Sequence, residues 1–143
     1  MGASDWHYVV DYREDAAAAF AELQRTVMAA GDFYRGLGDR HAFTSMADLE
    51  AARNTETFWD EGTHSILDMV TVVAPDAQDE TAAVRVLRDD EVRAQFGTDR
   101  PTTADFERFL ATEWYVNRWE GRATVLYRDG QPTGLAFWGI SGD

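Results

Sequence analysis

Two alternating runs meet across Asp129-Gly130 near the end of the chain, and they fix a hairpin. In the first run Ala123, Val125 and Tyr127 alternate with Thr124 and Leu126; the second covers residues 135–140. Asp and Gly both tolerate positive φ, which a two-residue turn between antiparallel strands demands. Pro132 has no N–H to give, which places it at the edge of the return strand. A third period-two run, residues 6–12, sets Trp6, Tyr8, Val10 and Tyr12 on one face and His7, Val9 and Asp11 on the other. Aromatic and β-branched residues at that period predict an opening strand.

Helical spacing fills most of what lies between. Asp15 is placed to cap a helix whose stripe is Phe20, Leu23, Val27 and Ala30, with Gly31 to end it. Residues 31–44, with Phe33, Tyr34 and Phe43, read as a loop. Ser45 caps a second, shorter helix over Met46–Arg53, and residues 54–62 read as a connection carrying Phe58 and Trp59. Residues 65–73 predict a strand, 75–80 an acidic turn and 83–87 another strand. Asp89 and Asp90 begin a short helix that stops at Gly97. Thr102 and Asp105 have capping-box spacing ahead of a helix carrying Phe106, Phe109, Leu110 and Trp114, with Gly121 after its last turn. The predicted order is β-α-α-β-β-α-α-β-β. Paired helices and two hairpin-like connections predict a single α+β domain over residues 1–143, with one antiparallel or mixed sheet and helices packed on one face.

Charge narrows the partners. The 143 residues carry 13 basic and 26 acidic side chains, for a formal net charge of −13. Such a surface repels phosphate backbones and anionic lipid, so neither nucleic acid nor membrane is an expected partner; it suits a basic protein or a cationic ligand. Every basic side chain is Arg, a bias that fits a GC-rich genome. Cysteine is absent, which rules out disulfides, thiolate metal sites and a thiol nucleophile. The first residues lack the basic and apolar regions of a signal peptide, and no segment has the apolar length of a membrane span. The expected compartment is the cytoplasm.

The densest polar stretch is Trp59-Asp60-Glu61-Gly62-Thr63-His64-Ser65-Ile66-Leu67-Asp68. It supports three chemical readings. Glu61 and His64 have an E-x-x-H metal spacing, but in one copy, interrupted by Gly62, and His7 and His41 add no ligand spacing; no metal or cofactor is expected. Ser65 as nucleophile, His64 as base and Asp68 as orienting carboxylate form a second reading, opposed by strand geometry, which turns adjacent side chains apart. Proton transfer by His64 with Glu61 or Asp60 is the third. Against all three, a Gly-Thr-His-Ser loop entering a buried strand needs such side chains to satisfy stray backbone groups. The closing Gly139-Ile140-Ser141-Gly142-Asp143 misses the nucleophile-elbow pattern at its last residue. Aromatics are plentiful, and Trp59, Trp119 and Tyr115 are the candidate binding residues; the last and Trp119 lie off the apolar stripe of their helix.

Three pieces, Asp5-Trp6-His7-Tyr8-Val9-Val10-Asp11-Tyr12, Glu61-Gly62-Thr63-His64-Ser65-Ile66-Leu67-Asp68 and the closing Gly139-Ile140-Ser141-Gly142-Asp143, resemble a family of uncharacterised small bacterial proteins. Phe96-Gly97-Thr98-Asp99-Arg100-Pro101 is similar to a fourth shared piece. The resemblance runs nearly end to end, implies a bacterial source and carries no catalytic assignment. The expected function is a non-catalytic acidic binding protein, of the inhibitor or immunity type, for a basic protein partner. The alternatives are a small hydrolase or isomerase built on His64, Glu61 and Asp68, and a regulatory domain for a small ligand.

Overall fold

Capping and alternation set the elements. The computed structural model describes residues 4–34 and 44–142; the loop reading of residues 35–43, with His41 and Phe43, and the terminal Asp143 lie outside them. The opening run forms β1 (Asp5–Asp11). In α1 (Ala16–Ala30), Asp15 Oδ1 accepts from the Ala17 and Ala18 amides at 3.0 and 3.2 Å, and Gly31 closes the helix at φ 69°. Ser45 Oγ accepts from Asp48 N at 3.1 Å to start α2 (Met46–Arg53).

Five features differ from those the sequence predicts. Residues 54–62 are not a plain connection: Thr55 caps a short α3 (Glu56–Glu61) that buries Phe58. Residues 65–73 are not a continuous strand. A 3₁₀ turn at Ile66–Asp68 takes the first half, leaving only β2 (Thr71–Val73). After β3 (Ala83–Val86) and α4 (Asp89–Phe96), α5 (Thr103–Leu110) begins on the expected reciprocal cap, with Asp105 N to Thr102 Oγ1 at 3.2 Å and Thr102 N to Asp105 Oδ2 at 2.8 Å. It stops before Trp114, and just past its end the Thr112 hydroxyl donates to the Phe109 carbonyl at 2.6 Å. Tyr115 and Trp119 therefore precede β4 (Glu120–Arg128) on irregular chain.

The five strands, closed by β5 (Gln131–Ile140), form one mixed sheet in the order β1-β5-β4-β3-β2. Asp129 and Gly130 take φ 52° and 77° at the tip of the β4–β5 hairpin, the left-handed pair a tight turn requires. Pro132 lies just past the last contact with the β1 segment, Tyr12 N to Thr133 O at 3.2 Å. The expected hairpin between β2 and β3 is instead a parallel pair, as is β3 with β4. Asp79, in the connection, is drawn to Arg85 (2.5 Å) and Arg122 (3.0 Å), and Ala82 turns the chain at φ 64° into β3.

Helices cover both sheet faces, not one. Leu135 and Phe137 of β5 pack with Trp6, Val84, Ala123 and the residues of α1, α2 and α3. Ala136 and Trp138, pointing the other way, pack with Leu126, Val92 of α4 and Phe106 of α5. Period two sends alternate side chains of one strand into opposite layers, which is why residues 134–140 are buried without interruption.

Candidate functional site

The polar stretch folds back on itself at two unusual backbone positions. Gly62 has φ 71° and ψ −162°, and His64 follows with φ 55°. A Cβ on Gly62 would stand 2.8 Å from both Asp68 carboxylate oxygens, so only glycine fits. Asp68 Oδ1 accepts from Thr63 N at 2.5 Å and from Thr63 Oγ1 at 2.8 Å. Thr63 Oγ1 and Ser65 Oγ lie 2.7 Å apart, and Ser65 Oγ accepts from Leu67 N at 3.1 Å. Thr63, Ser65 and Asp68 are each 0% exposed.

Neighbouring helices hold this turn from outside. Gln24 Nε2 on α1 donates to the carbonyls of Ile66 and Met69 at 3.0 and 2.7 Å. An Arg53 amino group at the end of α2 donates to those of Leu67 and Met69, both at 2.8 Å. These bonds replace the sheet ladder the segment would otherwise make, satisfying carbonyls that burial would strand.

Burial sets the electrostatics. Desolvation raises the Asp68 carboxyl from 3.8 to about 6, outweighing the Thr63 bonds and the nearby His64 that pull it down. Desolvation also raises the Tyr8 phenol, which bonds to Ile66 and Ser65, and lowers the Arg53 guanidinium against the pull of Glu50 and Asp68.

His64 stands at the rim of the turn. Its ring is stacked on Tyr34 with centroids 4.4 Å apart, and Ser4 Oγ is 3.5 Å from Nδ1. Tyr34 is anchored by its own N–H to the Thr63 carbonyl at 2.8 Å. Ser4 in turn receives the Ser141 amide on its carbonyl at 2.8 Å. Trp6 lies so close over Gly139 that a Cβ there would meet its ring at 2.3 Å. The first, central and last of the sequence pieces thus meet at one end of the sheet.

The sequence-derived candidates separate into two groups. His64, Ser65 and Asp68 share the turn, but the Ser65 and Asp68 oxygens are directed into it. Glu61 closes α3, and its side chain lies outside the described residues. Trp59 and Trp119 pack together with centroids 5.0 Å apart, the Trp59 ring N–H donating to the Arg53 carbonyl at 2.7 Å, while Tyr115 stands 73% exposed. Sequence reasoning missed Thr63 as the donor to Asp68, and Gln24 and Arg53 as its supports. Gln24 gave a signal: a polar residue four after Phe20, on the inward stripe of α1. Among the described residues no cluster of His, Asp and Glu could hold a metal ion, and no helix is long and apolar enough to cross a membrane. No family model, curated protein or solved structure matches the chain.

Proposed function

We propose that this chain is a non-catalytic acidic binding protein of the bacterial cytoplasm, and that its partner is a basic protein. One observation carries the reading: Thr63 Oγ1, Ser65 Oγ and Asp68 Oδ1, the best-placed chemical groups, are tied into one chain of hydrogen bonds inside a fully buried turn. A nucleophile must meet its substrate and a general base must reach a substrate proton. Charge supplies the rest. Of the carboxylates among the described residues, Asp68 alone is fully enclosed, so the negative charge of the chain lies toward solvent. An acidic surface speeds encounter with a basic partner and disfavours acidic ones.

Capture tests the reading. Immobilised protein is exposed to lysate of the native cell at about 50 mM salt and washed at about 500 mM, where the Debye length shrinks to a few Å. The expected result is stoichiometric capture of a basic protein, released by salt and captured equally by a Ser65→Ala variant. Failure to capture any basic protein contradicts the reading.

The rival, a small hydrolase or isomerase at His64, Glu61 and Asp68, has one observation in its favour: a buried carboxyl raised to about 6 beside a histidine. Its mark would be a small-molecule turnover abolished by Asp68→Asn without loss of folding.

A further inference from the structure

β1 is an edge strand, and its unpaired side is orderly. Ser141 N donates to Ser4 O and Tyr12 N to Thr133 O, and the register between them runs Asp5↔Ile140 to Asp11↔Gly134 without a slip. Bonded pairs alternate along an antiparallel ladder. Trp6, Tyr8 and Val10 therefore turn their N–H and C=O groups toward β5, and Asp5, His7, Val9 and Asp11 turn theirs outward. Among the described residues nothing pairs with that outward row. The same four residues have exposed side chains, Val9 at 48%. By contrast β2, at the opposite edge, has only three residues. Beside β1 on its α1 side runs a groove of about 320 Å³, lined by Val10, Asp11, Ala19, Glu22, Leu23 and Thr26. Arg13 closes one end, paired with Glu22 at 2.6 Å.

Charge decides what this edge accepts. If a second copy added its own β1 antiparallel about Tyr8, Asp5 would face Asp11 at both ends, and like charges directly opposite are destabilising. A strand with basic residues at those two positions reverses the sign of both contacts. We infer that the outer edge of β1 is a strand-addition site for an extended segment of a basic partner, with basic residues opposite Asp5 and Asp11 and an apolar residue opposite Val10, over the groove. Main-chain bonds to His7 and Val9 supply affinity, and the end charges and the groove supply specificity. This rests on the acidic-binding reading and gives it a surface.

The test is an NMR titration of the labelled protein with a seven-residue peptide that has arginine at both ends and valine alternating with threonine between them. The expected result is saturable binding, with the amides of Asp5, His7, Val9 and Asp11 shifting and becoming protected from exchange, while those of Trp6, Tyr8 and Val10 are protected already. Val9→Pro removes an outward donor where an edge tolerates proline, so it should weaken binding by about tenfold with the fold intact. Asp11→Arg should reject this peptide and accept one with glutamate at the end that faces it. Peptide binding with shifts elsewhere overturns the edge site and leaves the acidic-binding reading standing. So does a captured basic protein whose affinity ignores Val9→Pro. A dimer that Val9→Pro dissociates assigns the edge to a second copy and overturns the basic occupant. No binding by peptide or captured protein overturns both.

Discussion

Asp68 is the one fully buried carboxylate among the described residues. Its carboxyl titrates higher folded, at about 6, than its ordinary value of 3.8. The native state therefore holds the proton more tightly than the unfolded chain. The Asp68 contribution to stability is fully present below about pH 4 and is lost as pH rises through 6, by roughly 3 kcal/mol in all. Asp68→Asn keeps an acceptor for Thr63 and removes the titration. Chemical denaturation at pH 4 and pH 7 should show that this variant loses less stability between the two than the native protein does; equal losses would contradict the assignment. His64 makes a second residue-scale case. His64→Ala removes the ring stacked on Tyr34 while leaving a Cβ at φ 55°, so it should cost about 1–3 kcal/mol and lower the melting temperature. His64→Gly relieves the backbone and should recover part of the loss. An unchanged or higher melting temperature for His64→Ala would contradict a structural role.

At the scale of elements, legibility followed local chemistry. Three helix starts marked by a short polar cap were readable to the residue, Asp15 before α1, Ser45 before α2 and Thr102 with Asp105 before α5, whereas the Thr55 cap of α3 and the early end of α5 were not. The Asp129-Gly130 hairpin was readable because its turn admits few residue types. The larger failures were decided at a distance. Residues 65–73 have strand composition, yet Gln24 and Arg53, reached only through the fold, take the carbonyls a sheet partner would have used. The far face of the sheet was missed because Ala136 and Trp138 read as one more alternating strand, with nothing local to say that α4 and α5 lie above it. At the site, the sequence put His64, Ser65 and Asp68 together but not the direction of their oxygens, which Gly62 and His64 set through positive φ. The caps can be weighed directly. Thr102→Ala should destabilise the protein by about 1 kcal/mol in urea denaturation, and no change would mean that packing of Phe106, not the cap, starts α5.

Over the whole molecule two ionic effects oppose each other. Arg85 and Arg122 lie side by side on β3 and β4. Asp79 bridges both, and Glu91 takes a two-pronged bond from Arg85 at 2.6 and 2.8 Å. Hydrogen bonding to Arg85 holds the Glu91 carboxyl down at about 2. Its stability contribution is present above its ordinary value and is lost as pH falls toward 2, the reverse of Asp68. Lowering the pH from neutral also relieves the self-repulsion of a chain with net charge −13. Together these place the stability maximum near about pH 5. Denaturation midpoints measured from pH 3 to 8 should peak on the acidic side of neutrality, and a maximum above pH 7 would contradict this balance.

That same charge is what the binding proposal depends on. The most direct measurement is the rate at which the captured basic partner associates with this protein, followed by stopped flow from about 50 to 500 mM salt. Attraction acts on encounter, and short-range contacts, once formed, are screened little. The association rate should fall steeply across that range while dissociation changes little. An association rate indifferent to salt would contradict it.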